Sequence, residues 1–261
     1  MNSLYIIKIG GNVIDDEARC SSFLKSFASI DAKKILVHGG GKLATKLADQ
    51  LNIPQQMVDG RRITDAETLK IVTMVYAGYI NKNIVAQLQA AGCNAIGLTG
   101  ADGNVILAHK RKNAATDYGF VGDIDTINTE LLCSLLEKDI TLAIAPITHD
   151  RNAQLLNTNA DTIAQEIAKS LSGEYEVTLI YSFEKKGVLL NAEDESTVIS
   201  SINPGYYSQL KAEQKIFAGM IPKLDNAFSA INSGVKKVII GNANELQQLI
   251  NGTSGTAIVN E

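Results

Sequence analysis

Short apolar segments alternate with amphipathic segments from one end of this sequence to the other. The apolar runs have the length of buried strands and are bounded by glycine or polar residues. These runs cover residues 4–9, 34–38, 94–98, 142–146, 177–181 and 237–240. Between them apolar residues recur at helical spacing, as at Ile163, Ile167 and Leu171. The alternation predicts an α/β fold with a mainly parallel sheet covered by helices on both faces, because parallel strands need crossover connections.

Local signals predict several element boundaries. Residues 64–67 (TDAE) match a capping box, and Gly92 follows a helical pattern where a terminating glycine is expected. The short apolar runs at 105–108 and 120–124 are interpreted as a hairpin inserted between two strand–helix units. Small and polar residues at 170–176 indicate a junction between two lobes.

Composition excludes several classes of partner. The formal charge of −4 argues against nucleic acid, and we interpret the basic run at 110–112 as a solvated loop. Cys20, Cys93 and Cys133 lack the spacing of a zinc site or a disulfide framework, which favours a reducing compartment. No apolar stretch reaches membrane-spanning length, and residues 4–7 are too short for the core of a signal peptide. We therefore expect a cytoplasmic protein without a membrane partner.

Two glycine motifs follow predicted strands. The K-I-G-G-N segment places Lys8, Gly10 and Gly11 after the first strand, and the H-G-G-G segment, with Gly40 and Gly41, follows the second. Ligands of parallel α/β sheets bind beyond the carboxyl ends of the strands. Glycines let backbone N–H groups approach a phosphate closely, and a helix N-terminus after the second motif favours an anion. The two motifs predict a phosphate-binding edge.

A dinucleotide site is the competing interpretation of the second motif. Gly39, Gly41 and Ala44 fit the pattern G-x-G-x-x-G/A, and Asp59 lies about where a ribose-binding acid is expected. That fingerprint normally follows the first strand, so a nicotinamide dehydrogenase ranks low. The P-loop pattern is absent from the sequence.

Two cationic positions stand out beside these motifs. Arg61 or Arg62 could hold a carboxylate in a bidentate fork, and the sequence alone does not choose between them. Lys223 follows Pro222 in the first turn of a predicted helix, where the helix dipole disfavours a cation. Because a residue that breaks a local rule often marks a site, Lys223 is a candidate.

The N-T-N-A-D segment enters another predicted helix. Asn159 suits the N-cap, and Asp161 in the first turn complements the helix dipole. Neither role explains Asn157, which is therefore free to contact a ligand.

Together the segments K-I-G-G-N, V-H-G-G-G, G-R-R-I-T, N-T-N-A-D and G-M-I-P-K resemble, in order, the acetylglutamate kinase family of the amino-acid-kinase superfamily. The resemblance covers essentially the whole chain. It implies a three-layer αβα sandwich of the amino-acid-kinase fold. An N-terminal lobe (residues 1–172) would bind the acylamino acid and form a homodimer, and a C-terminal lobe (residues 173–261) would bind ATP.

The resemblance also implies residue roles. The family's transition-state-stabilising lysines match Lys8 and Lys223, and the aspartate that orients them matches Asp161. The expected phosphate-binding residues are Gly10 and Gly11, and the expected substrate contacts are Gly40, Gly41, Arg62 and Asn157. One departure concerns the nucleotide pocket, where many relatives carry S/T-D-V-x-G-V and residues 182–188 here lack the aspartate.

The implied reaction is ATP-dependent phosphorylation of the side-chain carboxylate of N-acetyl-L-glutamate in arginine biosynthesis, with Mg²⁺ neutralising the ATP oxygens. A carboxylate with a pKa of about 4.3 is ionised at neutral pH and needs no general base. Catalysis would then rest on positioning and on electrostatic stabilisation of the transferring phosphoryl group.

Alternatives remain open. The acyl group could be larger, as in N-succinyl-L-glutamate, and a carbamate, aspartate or uridylate kinase is the nearest competitor in the superfamily. A non-catalytic ligand-binding subunit on the same scaffold is less favoured, because both lysines are present. Arginine-inhibited hexameric relatives carry an extra N-terminal helix, whereas only residues 1–3 precede the first predicted strand here. We therefore expect a homodimer that is insensitive to arginine.

Overall fold

A computed structural model describes residues 1–58, 61–112, 116–191, 193–216 and 220–260. The strands, numbered in chain order, are β1 (Ser3–Ile9), β2 (Lys33–His38), β3 (Gln56–Val58), β4 (Arg61–Ile63), β5 (Ala95–Leu98), β6 (Ile106–Lys110), β7 (Gly122–Ile127), β8 (Thr141–Ile144), β9 (Ile147–His149), β10 (Leu155–Asn157), β11 (Glu176–Phe183), β12 (Ser201–Ile202), β13 (Lys237–Asn242) and β14 (Thr256–Ile258).

The helices are α1 (Gly11–Ile14), α2 (Glu17–Ala28), α3 (Gly41–Gln50), α4 (Ala66–Val72), α5 (Asn81–Ala90), α6 (Thr129–Glu137), α7 (Ala160–Leu171), α8 (Pro204–Ala212), α9 (Ile221–Asn232) and α10 (Leu246–Asn251). A π-helical segment (Thr73–Ile80) joins α4 to α5. Within the described ranges, no helix is both long and apolar enough to cross a membrane.

The centre of the molecule is an eight-stranded sheet in the order β12-β14-β13-β11-β1-β2-β8-β5. Neighbouring strands run parallel except for the pair β13 and β14. A four-stranded sheet in the order β10-β9-β6-β7 and the two-stranded β3-β4 ribbon lie beside it. The predicted mainly parallel α/β sheet is confirmed, and so is the inserted hairpin, since β6 and β7 pair antiparallel.

Helices pack on both faces of the large sheet. Side chains alternate along β1, so Leu4 and Ile6 join a core that includes α7 and α9, whereas Ile7 and Ile9 join a core that includes α2 and the π-helical segment. All four of these side chains are fully buried. The strand therefore carries a continuous apolar run rather than an alternating one, and the predicted three-layer αβα arrangement is confirmed.

Two predicted boundaries are wrong in detail. The strand predicted at 142–146 ends at Ile144, before Pro146, which has no N–H for a sheet ladder. The capping residue of α4 is Asp65 rather than Thr64, because the Asp65 carboxylate accepts the amide N–H of Thr68 at 2.7 Å. Thr64 is instead buried, and its hydroxyl donates to the carbonyl of Arg62.

Candidate active site

The two glycine loops lie side by side at the carboxyl edge of the sheet. The amide of Gly10 donates to the carbonyl of Ser182 at 2.9 Å, which ties the loop after β1 to the end of β11. A Cβ placed on Gly39 would lie 3.9 Å from the amide nitrogen of Gly11, and one on Gly11 would lie 4.0 Å from that of Gly41. Since α3 begins at Gly41, the N–H groups of both loops and the N-terminus of α3 meet in one place.

Three predicted residues form one charged cluster. Lys8 Nζ lies 2.8 Å from Asp161 Oδ1, and Lys223 Nζ lies 3.0 Å from Asp161 Oδ2. Lys8 is on the face of β1 that α7 covers, Asp161 is in the first turn of α7, and Lys223 is in the first turn of α9. The three side chains are only 13%, 16% and 26% exposed, in the order Lys8, Asp161, Lys223.

Asp161 is ionised in this cluster. Burial by itself would raise the pKa of its carboxyl group, but the ammonium groups of Lys8 and Lys223 lower that pKa well below its ordinary value. Two cations and one anion leave one uncompensated positive charge. The cluster is therefore suited to an anionic group, such as a phosphoryl group in transfer.

A cavity of about 210 Å³ opens beside the glycine loops. Its lining includes the predicted residues Gly40, Gly41, Arg62 and Asn157. Arg62 is 7% exposed, whereas the side chain of Arg61 lies outside the described part of the chain. Asp59, Gly60 and Gly219, which belong to predicted motifs, also lie outside the described residues.

Arg62 is already engaged by the protein. Its Nη2 donates to the carbonyl of Gly41 and to Thr45 Oγ1, both at 2.8 Å, and its Nη1 donates to Gln55 Oε1. A guanidinium has five N–H donors, so two remain for a ligand. Arg62 thus fixes the start of α3 as well as contributing a positive charge to the cavity.

The sequence did not point to two further residues of this cavity, Tyr76 and Arg111. Tyr76 belongs to the apolar pattern of a helical stretch, and a lone tyrosine there gives no signal of a site. Arg111 belongs to the basic run that was interpreted as a solvated loop, and for Arg111 that interpretation is wrong. Its side chain is 17% exposed and donates through Nε and Nη2 to Asp123, whose hydrogen bonds raise the pKa of Arg111.

His38 makes a hydrogen bond to the second glycine loop. It is fully buried, its Nδ1 lies 2.9 Å from the carbonyl oxygen of Gly39, and its Nε2 lies 3.1 Å from Asn81 Nδ2. Asn81 also donates to the carbonyl of Ala143 at 2.9 Å. Burial lowers the pKa of His38 to about 4, so the ring is neutral, donating from Nδ1 and accepting at Nε2.

A second cavity, of about 330 Å³, is lined in part by Lys223. Its walls are mostly apolar and include Phe183, Val188, Ile216 and Met220. Glu184, from the segment that departs from the family pattern, also lines it and accepts a hydrogen bond from Asn12 Nδ2 at 2.8 Å. Lys223 therefore lies between an apolar cavity and the charged cluster.

Within the described ranges, no group of three or more His, Cys, Asp or Glu side chains is placed to hold a metal ion. Both carboxylate oxygens of Asp161 face lysines.

A parallel α/β sheet with two lysines and two glycine loops at its carboxyl edge defines a phosphate-handling enzyme. The sequence model of the amino acid kinase family matches residues 3–242, and the chain belongs to this family. Kinases of this family use ATP as the co-substrate. The dehydrogenase alternative is thereby excluded.

Named relatives agree with this assignment. The chain is 59% identical to the acetylglutamate kinase of Cytophaga hutchinsonii over 99% of each chain. It is 54% identical to the acetylglutamate kinase of Parabacteroides distasonis over 95% of this chain and 97% of the relative. The crystal structure of smu.665 from Streptococcus mutans UA159 matches with a TM-score of 0.81 and 28% identity over 99% of both chains. The resemblance inferred from the five motifs is confirmed.

Proposed function

We propose that the protein transfers the terminal phosphoryl group of ATP to the side-chain carboxylate of N-acetyl-L-glutamate, as a step of arginine biosynthesis. The observation that carries the proposal is the Lys8–Asp161–Lys223 cluster. Its Lys223 lines the 330 Å³ cavity, and its Asp161 directly follows Ala160, which lines the 210 Å³ cavity. The relatives named acetylglutamate kinase support this substrate over carbamate, aspartate or a nucleotide acceptor. The product is an acyl phosphate, which forms when a carboxylate oxygen bonds to phosphorus and ADP leaves.

The chemical step needs charge stabilisation rather than a base. The acceptor carboxylate is already ionised at neutral pH, and the anionic acceptor must approach an anionic triphosphate. Lys8 and Lys223 neutralise the transferring phosphoryl group from two sides, and Asp161 holds both ammonium groups in position. The N–H group of Gly11 binds a phosphoryl oxygen beside them. The predicted phosphate contact of Gly10 does not fit, because its single N–H already donates to the carbonyl of Ser182 at 2.9 Å.

The acylamino acid binds in the 210 Å³ cavity. Gly40 and Gly41 contact it through their backbone N–H groups, and Arg62 and Asn157 contact it through their side chains. Asn157 Nδ2 donates to Thr64 Oγ1 at 3.0 Å, which orients the amide at the cavity wall and leaves its second N–H for the ligand. Because the side-chain carboxylate is the acceptor at the lysines, Arg62 holds the α-carboxylate.

Each of the two lobes of the chain binds one of the two substrates. Residues 1–172 form the lobe that binds the acylamino acid, and residues 173–261 form the lobe that binds ATP, in the 330 Å³ cavity beside Lys223. Mg²⁺ would enter bound to ATP. When bound, it would supply positive charge to the phosphate oxygens of ATP.

The protein functions as a homodimer in the cytoplasm. Met74 and Tyr79 on the π-helical segment are 54% and 66% exposed, and Ile96 on the edge strand β5 is 38% exposed. Lys82 Nζ donates to the carbonyl of Gly97, so the start of α5, directly after the π-helical segment, lies against β5. Large apolar side chains beside an unpaired strand edge are the features that a second copy would cover.

An ATP-dependent hydroxamate assay tests the proposed function. Hydroxylamine traps acyl phosphates, so N-acetyl-L-glutamate should give product, whereas free glutamate, aspartate and carbamate should not. Turnover of a free amino acid at the same rate would contradict the proposal. Turnover of no N-acylglutamate would contradict it entirely.

One observation favours N-succinyl-L-glutamate as a second candidate substrate. Arg111 places a second guanidinium in the cavity that holds Arg62, and an acetyl group has no charge to meet it. A succinyl group ends in a carboxylate, for which arginine is a suitable partner. Asp123 already offsets much of this charge, which argues for the acetyl group.

Arg111→Gln separates the two candidates. If the substrate is succinylated, the variant should raise KM for N-succinylglutamate about 10-fold or more and leave KM for N-acetylglutamate nearly unchanged. Equal small effects on both substrates would remove Arg111 from acyl-group recognition.

A further inference from the structure

Tyr76 lies where the second glycine loop meets Arg62. Tyr76 is only 5% exposed, but it lines the 210 Å³ cavity. A Cβ placed on Gly41 would have Arg62 Nη2 at 3.7 Å and Tyr76 Oη at 4.0 Å as its nearest neighbours. The hydroxyl and the guanidinium therefore flank the same backbone position, at the start of α3.

The ring of Tyr76 has a separate structural role. Gly40 has a positive φ of 152°, and a Cβ there would collide with Ile80 and come within 3.0 Å of the Tyr76 ring. Both residues belong to the π-helical segment, and π-helical turns are frequent at functional sites. The ring therefore packs against Gly40 of the glycine loop, and the hydroxyl lies beside Gly41 at the cavity.

The hydrogen-bond inventory of the cavity shows why a hydroxyl is needed there. A carboxylate can accept about four hydrogen bonds. Three of the five Arg62 donors are used by Gly41, Thr45 and Gln55. The two that remain, Nε–H and one Nη1–H, lie on different edges of the guanidinium and cannot form a bidentate fork without rearrangement. A ligand carboxylate beside Arg62 therefore requires donors from other side chains.

We propose that Tyr76 is a substrate-binding residue whose hydroxyl donates a hydrogen bond to the α-carboxylate of the acylamino acid, beside Arg62. This inference rests on the proposed function. Burial, which outweighs the opposing effect of the Arg62 charge, raises the pKa of Tyr76, so the phenol keeps its proton at neutral pH.

Tyr76→Phe tests the hydroxyl alone, because phenylalanine keeps the ring under Gly40. We expect KM for N-acetylglutamate, and its Kd measured by calorimetry, to rise about 10-fold, as for the loss of one hydrogen bond to a charged group. KM for ATP and Tm should stay close to wild type. Tyr206→Phe is the control, since Tyr206 lies in α8 and lines neither of the two cavities, and it should change neither constant.

A substrate analogue that lacks the α-carboxylate gives a second readout of the proposed hydrogen bond. Wild-type enzyme should discriminate strongly against N-acetylisoglutamine, in which an amide replaces the α-carboxylate, and Tyr76→Phe should lose about 10-fold of that discrimination. A merely structural tyrosine would affect both ligands alike. If phenylalanine lowers Tm, Tyr76→Met supplies a flexible side chain without a donor.

The outcomes separate the two proposals. An active wild-type enzyme with an unchanged Tyr76→Phe variant would overturn the role of Tyr76 and leave the proposed function standing. A wild-type enzyme that neither binds nor phosphorylates any N-acylglutamate would overturn the proposed function itself.

Discussion

Two pairs of shielded lysines lie at opposite ends of the central sheet, and different groups compensate their charges. At the carboxyl end, Lys8 and Lys223 share the single carboxylate of Asp161. At the amino end, Lys33 and Lys34 begin β2 and donate mainly to backbone carbonyls. One sheet thus shows the same residue type in two settings.

The two lysines at the amino end of the sheet bind carbonyl groups at the C-terminal ends of helices. Lys34, 7% exposed, donates to the carbonyls of Ala28 at 2.9 Å and Ile30 at 2.6 Å, at the end of α2. Lys33 donates to the carbonyl of Leu136, at the end of α6. Helix C-termini carry partial negative charge and unpaired carbonyls, so these ammonium groups satisfy the fold itself.

The comparison shows that cavity size does not identify the reactive end. A cavity of about 750 Å³ lies beside Lys33 and Lys34, larger than either cavity at the carboxyl end. What differs is the charge balance at short range. Two ammonium groups on one carboxylate favour an incoming anion, whereas an ammonium group surrounded by carbonyls has its hydrogen bonds within the fold.

The largest expected effect concerns the carboxyl-end pair. Lys8→Ala and Lys223→Ala should each lower kcat on the order of 10²–10³, because each removes a charge that we propose to stabilise the transferring phosphoryl group. Steady-state kinetics on variants shown to be folded by circular dichroism would measure this. Lys34→Met is the control and should keep kcat within about twofold of wild type. A Lys8→Ala enzyme with wild-type kcat would break the distinction between the two pairs.

The same control variant should show the opposite effect on stability. Lys34→Met keeps an apolar stem but leaves the buried carbonyls of Ala28 and Ile30 without the Lys34 donor. At about 1–3 kcal/mol for each of the two unsatisfied groups, the free energy of unfolding should fall by roughly 2–6 kcal/mol. Urea denaturation at pH 7 would measure it. Unchanged stability would show that water reaches these carbonyls.

The sequence predicted the reactive end better than the structural end. Glycines after strands and a lysine that is disfavoured by the helix dipole are local signals. They pointed to Lys8, Gly10, Gly40 and Lys223, which the fold brings to one edge of the sheet. The function of Lys34 depends on carbonyls at the end of α2, and no local pattern indicates which strand residue will reach them.

Long-range contacts account for what the sequence left undecided. An aspartate in the first turn of a helix can be explained by the helix dipole alone. Only the fold shows that Asp161 lies between Lys8 of β1 and Lys223 of α9. Tyr76 is hidden in an apolar helical pattern, and Arg111 in a basic run. In each case the residue type is ordinary for its element, so its role arises only from the distant segments packed against it.

His38 extends the comparison, since it lies at the other end of β2 from Lys34. Its pKa is about 4 in the folded protein against an ordinary 6.5, so between these values the unfolded chain binds a proton that the folded chain does not. The free energy of unfolding is therefore fully supported above pH 6.5 and falls as the pH drops toward 4. From pH 7 to pH 5 the loss should be about 2 kcal/mol.

His38→Gln should remove this part of the pH dependence, and His109→Gln, at a side chain 53% exposed, should not. Urea denaturation at pH 5, 6 and 7 would show it. Asp161, with a lowered carboxyl pKa, affects stability only below about pH 4 and does not disturb this range. Equal slopes in wild type and His38→Gln would mean that His38 is protonated in the folded protein.

The smallest effect separates the two amino-end lysines from each other. Lys33→Met should lower the free energy of unfolding by about 1 kcal/mol or less, although Lys33 also contacts a backbone carbonyl. The carbonyl of Leu136 accepts a second hydrogen bond, from the amide of Asp139 at 3.1 Å, so it keeps a partner after the substitution. The ion pair with Asp139 adds little, because that carboxylate is 92% exposed and well solvated. Parallel urea denaturation of Lys33→Met and Lys34→Met measures the difference, and a loss at Lys33 as large as that at Lys34 would show that burial of the ammonium group does not set the cost.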